Sequence, residues 1–490
     1  MNCLAIDLGA GSGRAMVGQF DGSRVQLSEV HRFPNGGVRL PDGLHWDALR
    51  LWSSIRQGIQ AASQFSPHKL SSLGLDTWGL DFALLDKNDA LLGNPYHYRD
   101  NRTDGMLEEA FRRVPKEEIY EKTGIQLIQL NSLYQLLSMV IEDSPQLDAA
   151  ETYLMMPDLF NFWLTGEKVS EFSEATTSQC YDPRKGDWAW SLLKKLKIPT
   201  HIFPEIVPPG TVLGELRPWV AEGAEGEAPV VIAPGCHDTA SAVAAVPAED
   251  EDFIYISSGT WSLIGAEIDE PIINEKSLRY DFTNEGGLER TFRFLKNIDG
   301  MWLLEESRRA WASEGKEYSY GDLTEMAAQA PPLRSLIDPD DDVFLKPGDM
   351  PARIRTFCRE SGQPVPETEG SVIRCALESL ALKYRWVTER LEEIRGRRLE
   401  PIHIVGGGSQ NGLLNQFTAD ATGHWVVTGP VEATATGNVL AQLITLGQIG
   451  SMWEGREIVR QSFDLTTYEP TESAQWDDAY GRFLELMEQE

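Results

Sequence analysis

The run Gly235-Cys236-His237-Asp238-Thr239-Ala240-Ser241-Ala242-Val243-Ala244-Ala245 sets one carboxylate at the head of a stretch of small residues. Upstream, APVVIAPG reads as a buried strand closed by Pro234-Gly235; downstream, Thr239 to Val246 reads as a closely packed helix. Asp238 therefore stands where a strand gives way to a helix N-terminus. A carboxylate there has two chemistries open to it. It caps orphan backbone N–H groups and suits the positive end of the helix dipole. With the right partners it also accepts a proton from a bound hydroxyl. His237, taken alone, is a polar turn residue. The partners must come from the rest of the chain.

Three glycine-rich turns follow apolar strands: Gly9–Gly13, Gly259 and Gly406–Gly408. Glycine lets backbone N–H groups approach phosphate oxygens with no Cβ in the way. None of the three spells GxxxxGK followed by Ser or Thr, which excludes a P-loop. Neither of the longer two spells GxGxxG, so a dinucleotide fold has no support.

The elements around these turns repeat. Residues 2–8, NCLAIDL, read as a buried strand, and AMVGQF and RVQLSEVHRF continue it as a meander. A helix over 46–62 puts Trp52, Ile55, Ile59 and Ala62 on one face. LSSLGLD and DFALLDKND read as strands, the second ending in a turn at Asp86 to Asp89, and residues 106–165 read as mostly helical. AEGAEGEAP (221–229) reads as a flexible surface loop, and PAEDED (247–252) as a charged connector. After it the plan begins again. With Gly259 under Gly9, LAIDLGAGSG (4–13) lies over IYISSGTWSL (254–263). A long helix follows at about 371–396, then PIHIVGGGSQNGLLNQFTAD (401–420) as strand, turn and helix, the strand HWVVTG and a closing helix in ATATGNVLAQLITLGQI. Two α/β domains of related plan, 1–246 and 247–490, are expected.

The 490 residues carry 44 Lys and Arg against 75 Asp and Glu, a formal charge of −31. A field of that sign argues against nucleic acid and anionic membrane surfaces as partners. No run of about 18 apolar residues predicts a membrane span, and Asp7 interrupts any apolar signal core, so a cytoplasmic protein is expected. The five Cys form no CxxC pair and no zinc-like cluster with the eight His; whether Cys358 and Cys375 pair stays open.

The turns and the internal echo together resemble the superfamily of sugar kinases, hsp70 and actin. AIDLGAGSGR is similar to its first phosphate motif, ISSGTWSL to its second and HIVGGGSQNGLLNQ to its adenosine motif. GCHDTASAV resembles the segment of the FGGY family of carbohydrate kinases that holds the catalytic aspartate, and MPDLFNFWLTG (156–166) is also family-like. LGLDTWGLDFALLD, YHYRDNRTDGM, TNEGG and LKNIDGMWLL are together similar to the rhamnulokinase branch of that family.

The resemblance implies two ribonuclease-H-like domains around a central cleft. It implies transfer of a phosphoryl group from ATP to L-rhamnulose at its 1-hydroxyl, with L-fuculose or another ketose as the alternative sugar. Asp238 is then the general base, and Gly79, His237, Asp238, Thr239 and Asn297 contact the sugar, with Trp78 and Asp81 flanking Gly79. Ala10, Gly11, Ser12, Gly13 and Arg14 line the ATP phosphates, Thr260 donates to a phosphate, and Glu305 and Gly407 meet the nucleotide. Asp7 holds Mg²⁺ through water, while Ser257 takes its place in the second half. Glu305 departs from the family, where glutamine is expected, and a carboxylate beside a triphosphate is unfavourable. Arg99 and Arg102 read as ordinary surface charges. An hsp70-like ATPase would need a β-rich peptide-binding region after residue 450, and only about 40 residues with helical ends follow. An actin-like filament subunit would need self-association surfaces. ATP consumption that depends on a free sugar separates the kinase from both.

Overall fold

A computed structural model describes residues 1–65, 69–222, 228–471 and 474–488. The chain forms two compact units, each assembled from three segments. The first holds Met1–Glu249, Glu267–Leu295 and Glu432–Phe463; the second holds Asp250–Ala266, Lys296–Val431 and Asp464–Glu490. The first crossing falls beside the expected connector, but two later segments fold with the first unit instead of the second. Of the loop expected at 221–229, residues 223–227 lie outside the described residues.

In the first unit, Asn2–Leu8 lies between its antiparallel neighbour Ser12–Phe20 and the parallel strand Leu70–Thr77. The full order runs Val25–Pro34, Ser12–Phe20, Asn2–Leu8, Leu70–Thr77, Val230–Ala233, Thr211–Glu215. In the second unit, Ile254–Ser258 pairs antiparallel with Trp261–Ile268 and parallel with Ile402–Val405; Val426–Thr428 and Thr466–Tyr468 follow. The echo read from ten residues therefore extends through both sheets, antiparallel outer strand included, although among the described residues the first sheet has six strands and the second seven. Central strands are buried on both faces, as parallel strands covered by helices must be.

Small residues explain the helix Asp238–Ala244. It lies against Ala433–Thr445 so closely that a Cβ on Gly437 would sit 1.7 Å from the Ser241 carbonyl oxygen. That second helix also brings the 432–463 segment into the first unit. Gln442 accepts from Ser72 Oγ at 2.6 Å and donates to the Leu4 carbonyl at 3.0 Å, while Asn438 Nδ2 donates to Asp76 Oδ2 at 2.5 Å. These partners lie in two strands of the first sheet, and no periodicity announces them. Arg456 adds an ion pair to Glu267 at 2.6 Å. All five Cys are buried free thiols; Cys358 and Cys375 hydrogen-bond without a disulfide. Among the described residues no helix is long and apolar enough to cross a membrane.

Candidate active site

His237, not Asp238, occupies the N-cap, with extended backbone at φ −76° and ψ 124° and no capping by its side chain. Asp238 is the first helical residue, so its carboxylate is released from capping and is 27% exposed beside buried neighbours. Its Oδ1 accepts from Thr239 Oγ1 at 2.9 Å and lies 3.5 Å from His237 Nε2. Backbone bonds set the turn: Thr77 N–H donates to the Cys236 carbonyl at 2.9 Å, and His237 N–H to Ser173 Oγ at 3.1 Å.

At the end of the first strand, Asp7 lies opposite Arg14 on one side and Asp76 on the other. Arg14 Nη2 is 3.5 Å from Asp7 Oδ2, and its Nη1 bonds Glu432. Burial first, then the charges of Asp238 and Glu432, push the Asp7 carboxyl up to about 6 against the pull of Arg14. Burial and the charge of Asp7 likewise raise Asp76, whose Oδ1 is buried without a partner. Clustered carboxylates and an orphaned oxygen fit a divalent cation. Among the described residues no group of three or more His, Cys, Asp or Glu is arranged to hold a metal alone. Asp7 and Asp76 are the carboxylates here that could contribute to holding one. The turn Ala10, Gly11, Ser12, Gly13 is closed by Gly9 N–H to the Ser12 carbonyl at 3.0 Å.

Gly79 packs on Thr177, which would meet an added Cβ at 3.1 Å. Leu80 follows with φ +78°, held there by Thr177 Oγ1 at 3.2 Å from its N–H and by Ser132 and Gln135 on its carbonyl. Such strain in a non-glycine residue gathers at functional sites. Trp78 and Asp81 do not face outward. Asp81 accepts from Trp46 Nε1 at 2.5 Å, Trp78 Nε1 at 3.0 Å, Gln135 Nε2 at 3.0 Å and Tyr98 N–H at 3.2 Å, and burial raises its carboxyl to about 6 despite these donors. Arg102 differs from the surface charge expected. Its Nη2 donates to Gln135 Oε1 at 2.6 Å and its guanidinium covers Tyr96 at 4.0 Å, so it braces the same loop.

The helix Phe172–Thr177 carries residues that sequence reasoning missed. Ser173 receives His237, Thr177 receives Leu80, and Thr176 receives Gly286 N–H at 2.8 Å. Glu171 caps the helix and accepts Cys236 N–H at 3.0 Å; burial raises its carboxyl to about 7. The oxygens of Glu174 are buried without partners, and burial with neighbouring carboxylates raises it strongly. Glu285 and Arg293, also unread, surround His237. The sequence signals were the small hydroxyl residues within 173–178 and the TNEGG run that contains Glu285.

In the second unit, the Gly259-Thr260 turn is tied down by the start of the helix Trp302–Ser313: Met301 N–H donates to the Gly259 carbonyl at 3.0 Å and Trp302 N–H to that of Thr260 at 3.1 Å. Thr260 Oγ1 lies 3.4 Å from both Glu305 oxygens, and burial raises the Glu305 carboxyl. Asn297 is half-buried in the strand Phe292–Asp299. Gly407 is exposed, with nothing within 4 Å of an added Cβ, whereas one on Gly408 would strike Ser258 Oγ at 2.0 Å. Gly408 is small for packing; Gly407 leaves space open.

The FGGY carbohydrate kinase N-terminal domain matches residues 2–245, and the C-terminal domain matches 254–446. The chain belongs to the FGGY family of carbohydrate kinases. This carbohydrate kinase is 45% identical over 482 residues to the rhamnulokinase of Bacteroides thetaiotaomicron, covering 98% of each chain. It is 40% identical over 493 residues to that of Pectobacterium atrosepticum, covering 100% of this chain and 97% of the relative. Its fold matches the xylulose kinase of Lactobacillus acidophilus with TM-score 0.83 at 16% identity, covering 100% and 98% of the two chains. It also matches the glycerol kinase of Plasmodium falciparum with TM-score 0.79 at 14% identity, covering 100% and 98%.

Proposed function

We propose that this carbohydrate kinase transfers the γ-phosphoryl group of ATP to the 1-hydroxyl of L-rhamnulose, giving ADP and L-rhamnulose 1-phosphate. The observation that carries the reading is identity of 40–45% with rhamnulokinases along nearly the whole chain. The site chemistry supports it. Asp238, partly exposed at the start of its helix, orients the attacking hydroxyl and takes its proton late in transfer. Gly79, His237, Thr239 and Asn297 hold the sugar. Arg14, the Ala10–Gly13 backbone and Thr260 hold the phosphates, while Glu305 and Gly407 meet the nucleoside. When bound beside Asp7, Mg²⁺ supplies neutralisation of the phosphate charge, which a chain of net charge −31 otherwise opposes. Buried free thiols suit the reducing cytoplasm, where we place the reaction.

A coupled ADP-release assay over a panel of ketoses and polyols tests the reading. L-rhamnulose should give the highest kcat/KM. A higher value for L-fuculose or another ketose reassigns the sugar. ADP release independent of any sugar removes the kinase reading and favours an hsp70-like ATPase.

A further inference from the structure

His237 Nδ1 lies 2.9 Å from Nη2 of Arg293. A guanidinium offers only N–H donors and stays charged, so the ring nitrogen that faces it must present a lone pair. Arg293 is fully buried, which leaves it no solvent alternative. Its other bonds fit this demand. The second Nη2 hydrogen has Glu285 Oε2 at 3.1 Å, and Nε donates to the Gly286 carbonyl at 2.9 Å. Gly286 is itself held by Thr176. Glu285 Oε2 also lies 3.4 Å from His237 Nδ1. A proton on Nδ1 aimed at Glu285 would confront the Arg293 hydrogen at the shorter distance. The neutral ring's proton therefore sits on Nε2, the nitrogen 3.5 Å from Asp238 Oδ1.

We infer that Arg293, fixed by Glu285, is a positioning residue that locks His237 as the neutral Nε2–H tautomer, so that the ring is a donor beside Asp238. The inference deepens the proposed function and rests on it for its catalytic meaning. A donor at Nε2 cannot take the sugar's proton, which leaves Asp238 as the single base of the pair. The opposite tautomer would turn a lone pair towards the Asp238 carboxylate and compete for the hydroxyl hydrogen.

The test is long-range ¹H–¹⁵N correlation on the full chain with ¹⁵N-labelled histidine at pH 8, His237→Gln identifying the signal among eight His. The expected pattern is a protonated Nε2 and an unprotonated Nδ1. Protonation at Nδ1, or averaging between the two, overturns the inference. Arg293→Met should let the tautomers mix and lower kcat/KM for the sugar about tenfold or more, with the KM for ATP unchanged. Arg293→Lys, which keeps a donor, should restore the tautomer. A folded Arg293→Met with wild-type tautomer and kinetics also overturns it. If Arg293→Met does not fold, the wild-type spectrum still decides. Absence of sugar-dependent ADP release would sink the proposed function and leave the tautomer result standing.

Discussion

The two opening hairpins of this carbohydrate kinase share a scaffold and differ in charge. Asn2–Leu8 with Ser12–Phe20 and Ile254–Ser258 with Trp261–Ile268 are both antiparallel, each flanked by a parallel strand. In the first, Asp7 faces Arg14 across the ladder; in the second, Ser257 faces Leu263. The first turn is closed by Gly9 N–H on the Ser12 carbonyl and the second, one residue shorter, by Gly259 N–H on that of Trp261. The repeat thus preserved backbone geometry and let the side-chain chemistry diverge. Burial raises carboxyls beside the first hairpin, at Asp7 and Asp76. The second hairpin is lined instead by hydroxyls at Ser257, Ser258 and Thr260. One half gathers carboxylates at the end of its hairpin, the other hydroxyls.

The largest expected break comes at the base. Asp238→Asn should lower kcat roughly 10²–10⁴-fold with much less change in ATP affinity. A purified variant keeping more than about a third of wild-type activity would show that the first half does not supply the base. Next comes conversion of one hairpin into its counterpart. Asp7→Ser should reduce kcat/KM about a hundredfold and weaken dependence on Mg²⁺, since the metal contributes several kcal/mol of charge stabilisation. Unchanged Mg²⁺ titration curves would place the metal elsewhere. In the second half, Gly407→Val should weaken ATP binding about tenfold while sugar binding holds, because the added methyl groups fill open space. Calorimetry on the folded variant decides, and equal ATP affinity moves the adenosine site.

The smallest effect is on stability. Burial raises the folded-state Asp81 carboxyl to about 6. A carboxyl raised in the folded state favours folding while protonated, so its contribution is full below about pH 4 and is lost as pH rises through 6. The unfolding free energy of wild type, less that of Asp81→Asn, should fall by about 2 kcal/mol between pH 4 and pH 7. Urea titrations at both pH values measure it, and a difference that does not change with pH would mean that folding leaves the Asp81 carboxyl at its ordinary value.

Much of the scaffold was legible because its signals are local. Apolar runs ending in glycine turns marked both hairpins, and the small residues after Asp238 marked a helix pressed against another backbone. The braces around the site were not legible. Arg102 reaches Asp81 only through Gln135, and Arg293 reaches His237 across 56 positions. Their residue types are those of an exposed loop, and only burial turns them into supports. Ser173, Thr176 and Thr177 are likewise ordinary until the fold sets each against a different loop. The make-up of the first unit was hidden for a related reason: Asn438 and Gln442 break no helical pattern, yet their partners lie in strands made hundreds of residues earlier.

That segmented unit sets an order of assembly during synthesis. The first sheet emerges early, but the helix that satisfies Ser72, the Leu4 carbonyl and Asp76 follows roughly 180 residues after the first segment ends. At about 5–20 residues per second, the nascent sheet waits on the order of ten seconds or more with those groups unmatched. A fragment cut at Glu249 would keep that vacancy permanently, and adding a peptide spanning 432–463 in trans should close it.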